Sequence, residues 1–382
     1  MSTELVAAVN AALATVIDPE IHRPITELDM VDALSVDEAG VASLTILLTI
    51  TGCPMANTIE SDVREKVTSV PGISGVNLTM SAMNDEQRTE LKRKLRGGAN
   101  ERDIPFSKAD STTQVILVAS GKGGVGKSSV TVNLAMALAN EGRSVGVLDA
   151  DIYGHSIPQM LGLMESWPTS VDGMILPVPT MGLKVISIGM MKESRDQVIA
   201  WRGPILDRAL QQFLADVYWG DLDYLIVDLP PGTGDVALSL GQKLPNAEVL
   251  VVTTPQQAAA EVAERAGTMA SMLDQKVLGV VENMAYLEVT CSHGETQRVA
   301  VFGTGGGAEV AATLTKRLGY DVPLLAEVPM DPAVSAGGDD GLPLVATDPT
   351  RPAAQALTGL AQRIVARRPS LAGRKLGLTP VS

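Results

Sequence analysis

The run Gly121-Lys122-Gly123-Gly124-Val125-Gly126-Lys127-Ser128 fits the spacing G-x-x-x-x-G-K-S/T, and Ser129 follows it. Glycines let successive backbone N–H groups converge on one point with no Cβ in the way. Such a concave set of donors suits a polyphosphate. The N–H groups of the loop would cradle it, Lys127 would bridge its β- and γ-phosphates, and the Ser128 hydroxyl would hold Mg²⁺. The flanking segments must present this loop. Val115–Ala119 is short, apolar and β-branched, as a buried parallel strand should be. Apolar residues then recur at helical spacing over Ser129–Ala139. Strand, glycine loop and helix form the context that this P-loop motif requires, and the helix N-terminus adds positive potential.

Carboxylates follow at matching places. A second strand, Ser144–Leu148, runs into Asp149-Ala150-Asp151, and the apolar strand Tyr224–Val227 ends in Asp228. Acids at the C-terminal ends of strands face the ligand crevice of an open α/β sheet. Asp228 would hold a Mg²⁺-bound water. The next residues are Leu229-Pro230-Pro231-Gly232-Thr233-Gly234-Asp235. This loop is stiff at its prolines and hinged at its glycines, as one that senses a γ-phosphate should be.

The loop carries a second lysine, Lys122, that the plain motif does not require. Lys-Gly-Gly-Val-Gly-Lys resembles the deviant-Walker P-loop ATPases, which include partition ATPases, division-site ATPases, nitrogenase iron protein and Mrp/Nbp35-type iron–sulfur carriers. The resemblance implies an ATP-sandwich homodimer in which Lys122 acts on the partner's nucleotide. It implies that Asp151 positions the attacking water and that Asp149 supports Mg²⁺ through its waters. It gives Asn283, in Glu282-Asn283-Met284 after the strand Val277–Val281, the adenine edge, and Val328–Asp331 the other side of the base. By its type alone, an Asn ending a strand is equally a turn residue. Within the group, the Asp228–Asp235 run and Trp201-Arg202-Gly203-Pro204 resemble the Mrp/Nbp35-type carriers. Arg202 would meet a phosphate or the partner subunit, or serve as a helix cap.

The chain has 382 residues, 45% of them apolar, enough for two domains and their cores. A net charge of −14 and an aromatic content of 3% argue against a nucleic-acid binder, which needs a basic face and stacking platforms. No run of about 18 apolar residues predicts a membrane span. Pro369–Ser382 makes no amphipathic tail helix, and two distant cysteines make no disulfide framework. A cytoplasmic protein that binds no membrane is expected.

Residues 3–17 predict an amphipathic helix ended by Asp18-Pro19-Glu20. A strand over Val41–Ile50 enters Thr51-Gly52-Cys53-Pro54, a helix runs over Met55–Val70, and Val76–Met80 alternates as a strand. The Asp-Pro-Glu opening and the Thr-Gly-Cys-Pro loop resemble the MIP18-like domain of iron–sulfur assembly factors. That resemblance makes Cys53 a candidate cluster or thiol site. At a helix N-terminus its thiolate would be favoured; the alternative is a buried cysteine behaving as a small hydrophobe. Charge-dense Asp85–Arg96 reads as a helix tail with a solvated face, fading through the Gly97-Gly98 pair into a flexible linker.

The expected architecture is α/β: a small α+β domain over 1–83, a flexible linker over 84–113, a P-loop NTPase domain with a mostly parallel sheet flanked by helices over 114–368, and a tail over 369–382. One departure from the carriers stands out. Where they hold Cys-x-x-Cys, this chain has Val289-Thr290-Cys291-Ser292-His293. Thiolate number is what holds an iron–sulfur cluster. A dimer would offer two Cys291 with two His293; otherwise Cys53 is the ligand, or no cluster is bound. The resemblance implies slow ATP hydrolysis with Mg²⁺ that loads or releases a cluster for apo iron–sulfur proteins, received from scaffold proteins. The rivals are a partition or division-site positioning ATPase and an adaptor with a vestigial ATPase.

Overall fold

The computed structural model describes residues 2–96, 103–108, 110–151, 154, 156–191, 203–232, 234–256, 265, 270–273, 275–291 and 293–367. Arg202, Thr233, most of the helix expected over 256–272, residues 97–102 and the tail 369–382 lie outside them. The chain divides into two compact units, residues 1–113 with 163–222, and residues 114–162 with 223–382. Residues 163–222 are counted with the first of these units.

In the first unit, α1 (Ser2–Leu13) precedes β1 (Val31–Val36), β2 (Val41–Leu48), α2 (Ala56–Thr68), β3 (Gly75–Ala82) and α3 (Asp85–Arg96). β2 lies between β1, to which it is antiparallel, and β3, to which it is parallel. Ala42, Leu44, Ile46 and Leu48 alternate along β2 and are buried, as are Ile59, Val63 and Val67 at i, i+4 and i+8 on α2. β1 has no counterpart in the sequence expectation. Its only buried residue is Val36, and a bulge between Asp32 and Ser35 breaks its alternation.

The helix tail expected at the start of the linker is α3, and it is packed against the first unit's core. Asn84 and Gln87 exchange side-chain to backbone hydrogen bonds at 2.8 and 2.9 Å, a reciprocal capping box, and Leu91 and Leu95 are buried. Charge density marked a solvated face here, with two leucines one turn apart on the other.

From residues 163–222 the same unit takes two antiparallel hairpins, Thr169–Val171 with Met174–Leu176 and Val178–Thr180 with Leu183–Ser187, and a helix, Gly203–Ala215. Val171, Met174 and Leu176 join the core of the N-terminal residues.

In the second unit, β4 (Gln114–Ser120) leads through the glycine loop into α4 (Lys127–Asn140). After them come β5 (Val145–Asp149), β6 (Tyr224–Asp228), α5 (Asp235–Lys243), β7 (Glu248–Thr253), β8 (Lys276–Thr290), β9 (Thr296–Val299), α6 (Gly306–Leu318), β10 (Leu324–Met330), α7 (Pro332–Asp339) and α8 (Pro352–Arg367). These strands run in the order β9-β8-β7-β4-β6-β5, with β10 beside β8. Every pair is parallel except β8 with β9. The mostly parallel sheet is thus as expected. β8 outruns its expected end at Val281, because Leu287–Thr290 pairs with β9 as a hairpin. α4 packs against β4, β5 and β6 on one side and α8 on the other, so its residues from Val130 to Leu138 are all buried. That double packing fixes the helix whose first turn carries Lys127 and Ser128.

Candidate nucleotide site

Strand register brings the acids together. Asp228 lies level with Val118 of β4 on one side and with Asp149 of β5 on the other. Both carboxylates therefore stand at the strand ends where the glycine loop begins. Gly124 and Gly126 adopt φ of +78° and +77°, a left-handed conformation that side chains disfavour. The loop bends over a cavity of about 240 Å³ lined by residues 122–129, Asp151, Ser156, Met160 and Pro231.

Three side chains from the first two turns of α4 converge on Asp228. Lys127 Nζ is 2.6 Å from Oδ2, and the Ser128 hydroxyl donates to the same oxygen at 2.6 Å. The Thr131 hydroxyl donates to Oδ1 at 2.6 Å. Lys127 is 6% exposed and Asp228 fully buried. A buried pair survives only where hydrogen bonds satisfy the remaining lone pairs, and Ser128 and Thr131 do so here. The oxygen donors of Ser128, Asp228 and the neighbouring Asp149 are hard ligands of the kind Mg²⁺ takes, so the residues present fit that ion.

Asp149 and Asp151 are buried, and Asp149 accepts from the backbone N–H of Asp151 at 3.2 Å. Asp151 accepts from the N–H of Gly154 at 3.0 Å and lines the cavity. The proline–glycine loop is pinned to the strand by the Gly232 N–H, which donates to the Ser120 carbonyl at 2.8 Å. Gly234 caps α5, whose first residue is Asp235.

Lys122 donates to the side-chain oxygen of Gln256 at 2.8 Å. Asn283 donates to the Val125 carbonyl at 2.9 Å, so its amide braces the loop from below. Asp331 caps α7 by accepting from the Ala333 N–H at 2.9 Å, and Arg351 grips it with two bonds of 2.7 and 2.8 Å. Burial pushes the Asp331 carboxyl up, but Arg351 and that N–H outweigh it and hold the group below the usual carboxylate range. Thr131, Gln256 and Arg351 escape sequence reasoning. Thr131 alone had a signal, lying one helical turn beyond Lys127.

The cysteines are placed apart. Cys291 is exposed in the turn between β8 and β9. Cys53 is 6% exposed, and its thiol donates to the Glu20 carboxylate at 3.7 Å. The Thr169 hydroxyl donates to the other Glu20 oxygen at 2.9 Å, and Asp18 accepts from the N–H groups of Glu20 and Ile21. Burial, then the Glu20 charge, push the Cys53 thiol up to about 11. Burial likewise raises both carboxyls. The thiolate expected from a helix N-terminus is therefore overturned, because desolvation and a carboxylate oppose it. Among the described residues, no group of three or more His, Cys, Asp or Glu side chains is placed to hold a metal ion.

Comparison with known proteins agrees with this geometry. Residues 111–365 match the ParA family described as NUBPL iron-transfer P-loop NTPase. The chain belongs to this family. Residues 6–79 match a second family, described as iron–sulfur cluster assembly protein. A protein of Mycobacterium tuberculosis called iron–sulfur cluster carrier protein is 55% identical over 99% of this chain and 97% of its own length. One of the same name from Deinococcus radiodurans is 42% identical over 92% and 93%. A nucleotide-binding protein from Archaeoglobus fulgidus, solved in complex with ADP, is 38% identical, with a TM-score of 0.52 over 63% of this chain and 91% of that one. As a P-loop NTPase of the iron-transfer family, the chain has the loop, the level acids and the mostly parallel sheet in the second unit, and the assembly-protein match in the first.

Proposed function

We propose that this protein is an ATP-hydrolysing carrier that delivers iron–sulfur clusters to apo-proteins. The reading is carried by the end-to-end similarity to proteins called iron–sulfur cluster carrier, at 55% identity over 99% of the chain. The site supports its ATPase half. Lys127 and the loop N–H groups at 121–129 bind the polyphosphate and stabilise charge on the transferring phosphoryl group. Ser128, with Asp149 and Asp228 behind it, would hold Mg²⁺, which supplies charge neutralisation between the β- and γ-phosphates. Asp151, at the cavity wall, positions the attacking water. Lys122 reaches the nucleotide of a partner subunit once it leaves Gln256. Asn283 and the Asp331 loop flank the base. Pro231 to Asp235 senses the γ-phosphate, and the Ser120–Gly232 bond ties that sensor to the P-loop strand.

We place the dimer seam at the β8–β9 hairpin, where Val289 and Val299 are about half exposed and Cys291 is exposed. Two copies would then present two Cys291 thiolates to the cluster. The first unit, 1–113 with 163–222, acts as an assembly module around Cys53. Two unpaired cysteines suit a reducing compartment, so we assign the protein to the cytoplasm. No helix among the described residues is long and apolar enough to cross a membrane.

The test is anaerobic reconstitution with iron and sulfide, followed by transfer to an apo-ferredoxin, in wild type, Cys291→Ala and Cys53→Ala. Cluster uptake lost only in Cys291→Ala supports the seam; loss only in Cys53→Ala moves the cluster to the first unit. No uptake by wild type would sink the carrier reading.

A further inference from the structure

We infer that Thr131 is a positioning residue of the nucleotide site: its hydroxyl fixes the rotation of the Asp228 carboxylate and so sets which oxygen faces the Mg²⁺ shell. The inference rests on the reading of Ser128 and Asp228 as the Mg²⁺ side of the site. It adds a residue that the glycine-loop motif does not contain.

Thr131 is completely buried in α4, one turn after Lys127. A threonine inside a helix ordinarily returns its proton to the carbonyl four residues back. That carbonyl, of Lys127, is 3.0 Å away. The hydroxyl has one proton and a second, closer acceptor, Asp228 Oδ1 at 2.6 Å. A carboxylate at that distance makes the stronger, charge-assisted bond. The proton therefore belongs to Asp228. Its other oxygen, Oδ2, is the one shared by Lys127 and Ser128 on the nucleotide side. With Oδ1 anchored on the buried side, the carboxylate cannot turn about its last bond, and Oδ2 stays aimed at the Ser128 hydroxyl. Without that anchor, the carboxylate rotates and Lys127 can capture either oxygen.

Volume and orientation are separable here, because valine fills the space of threonine without the hydroxyl. The experiment titrates Mg²⁺ into the full chain carrying N-methylanthraniloyl-ADP and reads fluorescence, alongside nucleotide affinity in EDTA and melting curves. Thr131→Val and Thr131→Ala should raise the half-saturating Mg²⁺ concentration about tenfold, the worth of one charge-assisted hydrogen bond. Thr131→Ser should stay within about twofold of wild type, and affinity in EDTA should be unchanged in all three. The Ala and Ser variants decide the matter if Val fails to fold. An unchanged Mg²⁺ requirement in the variants lacking the hydroxyl, or an equal rise in Thr131→Ser, overturns the inference and leaves the Mg²⁺ site standing. A wild type whose bound nucleotide ignores Mg²⁺ overturns both.

Discussion

The side chain of Asn283 donates to the Val125 carbonyl and thereby fills the space that a Cβ on Gly126 would need. Strand β8 and the phosphate loop are thus one packed unit. Asn283 holds the loop up, and Gly126 must be bare to let it.

Gly126→Ala should therefore fail twice. The φ of +77° costs an alanine about 1–2 kcal/mol, and the Cβ collides with the Asn283 amide. We expect a loss of roughly 2 kcal/mol or more in urea unfolding, and loss of nucleotide binding. Adding Asn283→Ala removes the collision and leaves the backbone strain. The double variant should then be more stable than the sum of the two single losses predicts, by about 1 kcal/mol. Additive losses would show that Asn283 does not fill that space in solution.

Lys127→Ala should abolish turnover, with phosphate release falling at least about 100-fold, because a donor aimed at the transferring phosphoryl is gone. It should also destabilise the empty protein. Asp228 is fully buried, and losing the partner of a buried charge costs about 3 kcal/mol. Lys127→Ala with Asp228→Asn removes the stranded charge and should recover most of that stability without recovering activity. Equal instability of single and double variants would contradict a buried ion pair.

The P-loop side of this site was legible because its chemistry is local: glycines, Lys127 and Ser128 are consecutive, and each acid ends an apolar strand. The unread parts are long-range or two-faced. Thr169 reaches Glu20 across 149 positions of sequence, and Lys122 reaches Gln256 across 134. No periodicity marks such pairs. α3 was read only as a solvated helix tail, although Asn84 and Gln87 have capping-box spacing and Leu91 and Leu95 share a buried face. β1 offered no alternation because only one of its six residues is buried. Cys53 misled for another reason. A helix N-terminus favours a thiolate, but the sequence does not show that a carboxylate will be folded against it.

The two cysteines should separate by reactivity, since the thiolate is the nucleophile. At pH 8, iodoacetamide should modify exposed Cys291 at least about tenfold faster than buried Cys53. The Cys53 rate should keep climbing toward pH 11, where its thiol ionises. Because folding raises this pKa above its ordinary value of 9.0, the neutral thiol's stabilisation is complete below pH 9 and is lost as pH rises through about 11. Wild type should lose about 2–3 kcal/mol relative to Cys53→Ala across that window. Equal alkylation of both cysteines at pH 8 would refute the acid–thiol pairing.

Lys184 gives the opposite slope in the same unit. It is 5% exposed, and its ammonium donates to the Trp219 carbonyl at 2.8 Å. Burial, despite the nearby Asp221 charge, pulls it from its ordinary 10.5 down to about 8. Between those values the unfolded chain holds a proton that the folded chain has released, so stability rises with pH from about 8 to about 10.5. Lys184→Met has no proton to release and should lack that rise. Urea midpoints of wild type and Lys184→Met at pH 7, 9 and 10.5 test this. The Cys53 contribution is common to both chains and cancels in their difference. Wild type should gain on the variant by about 2 kcal/mol or more over that range. Parallel curves would mean that water reaches the ammonium and that burial does not set its charge.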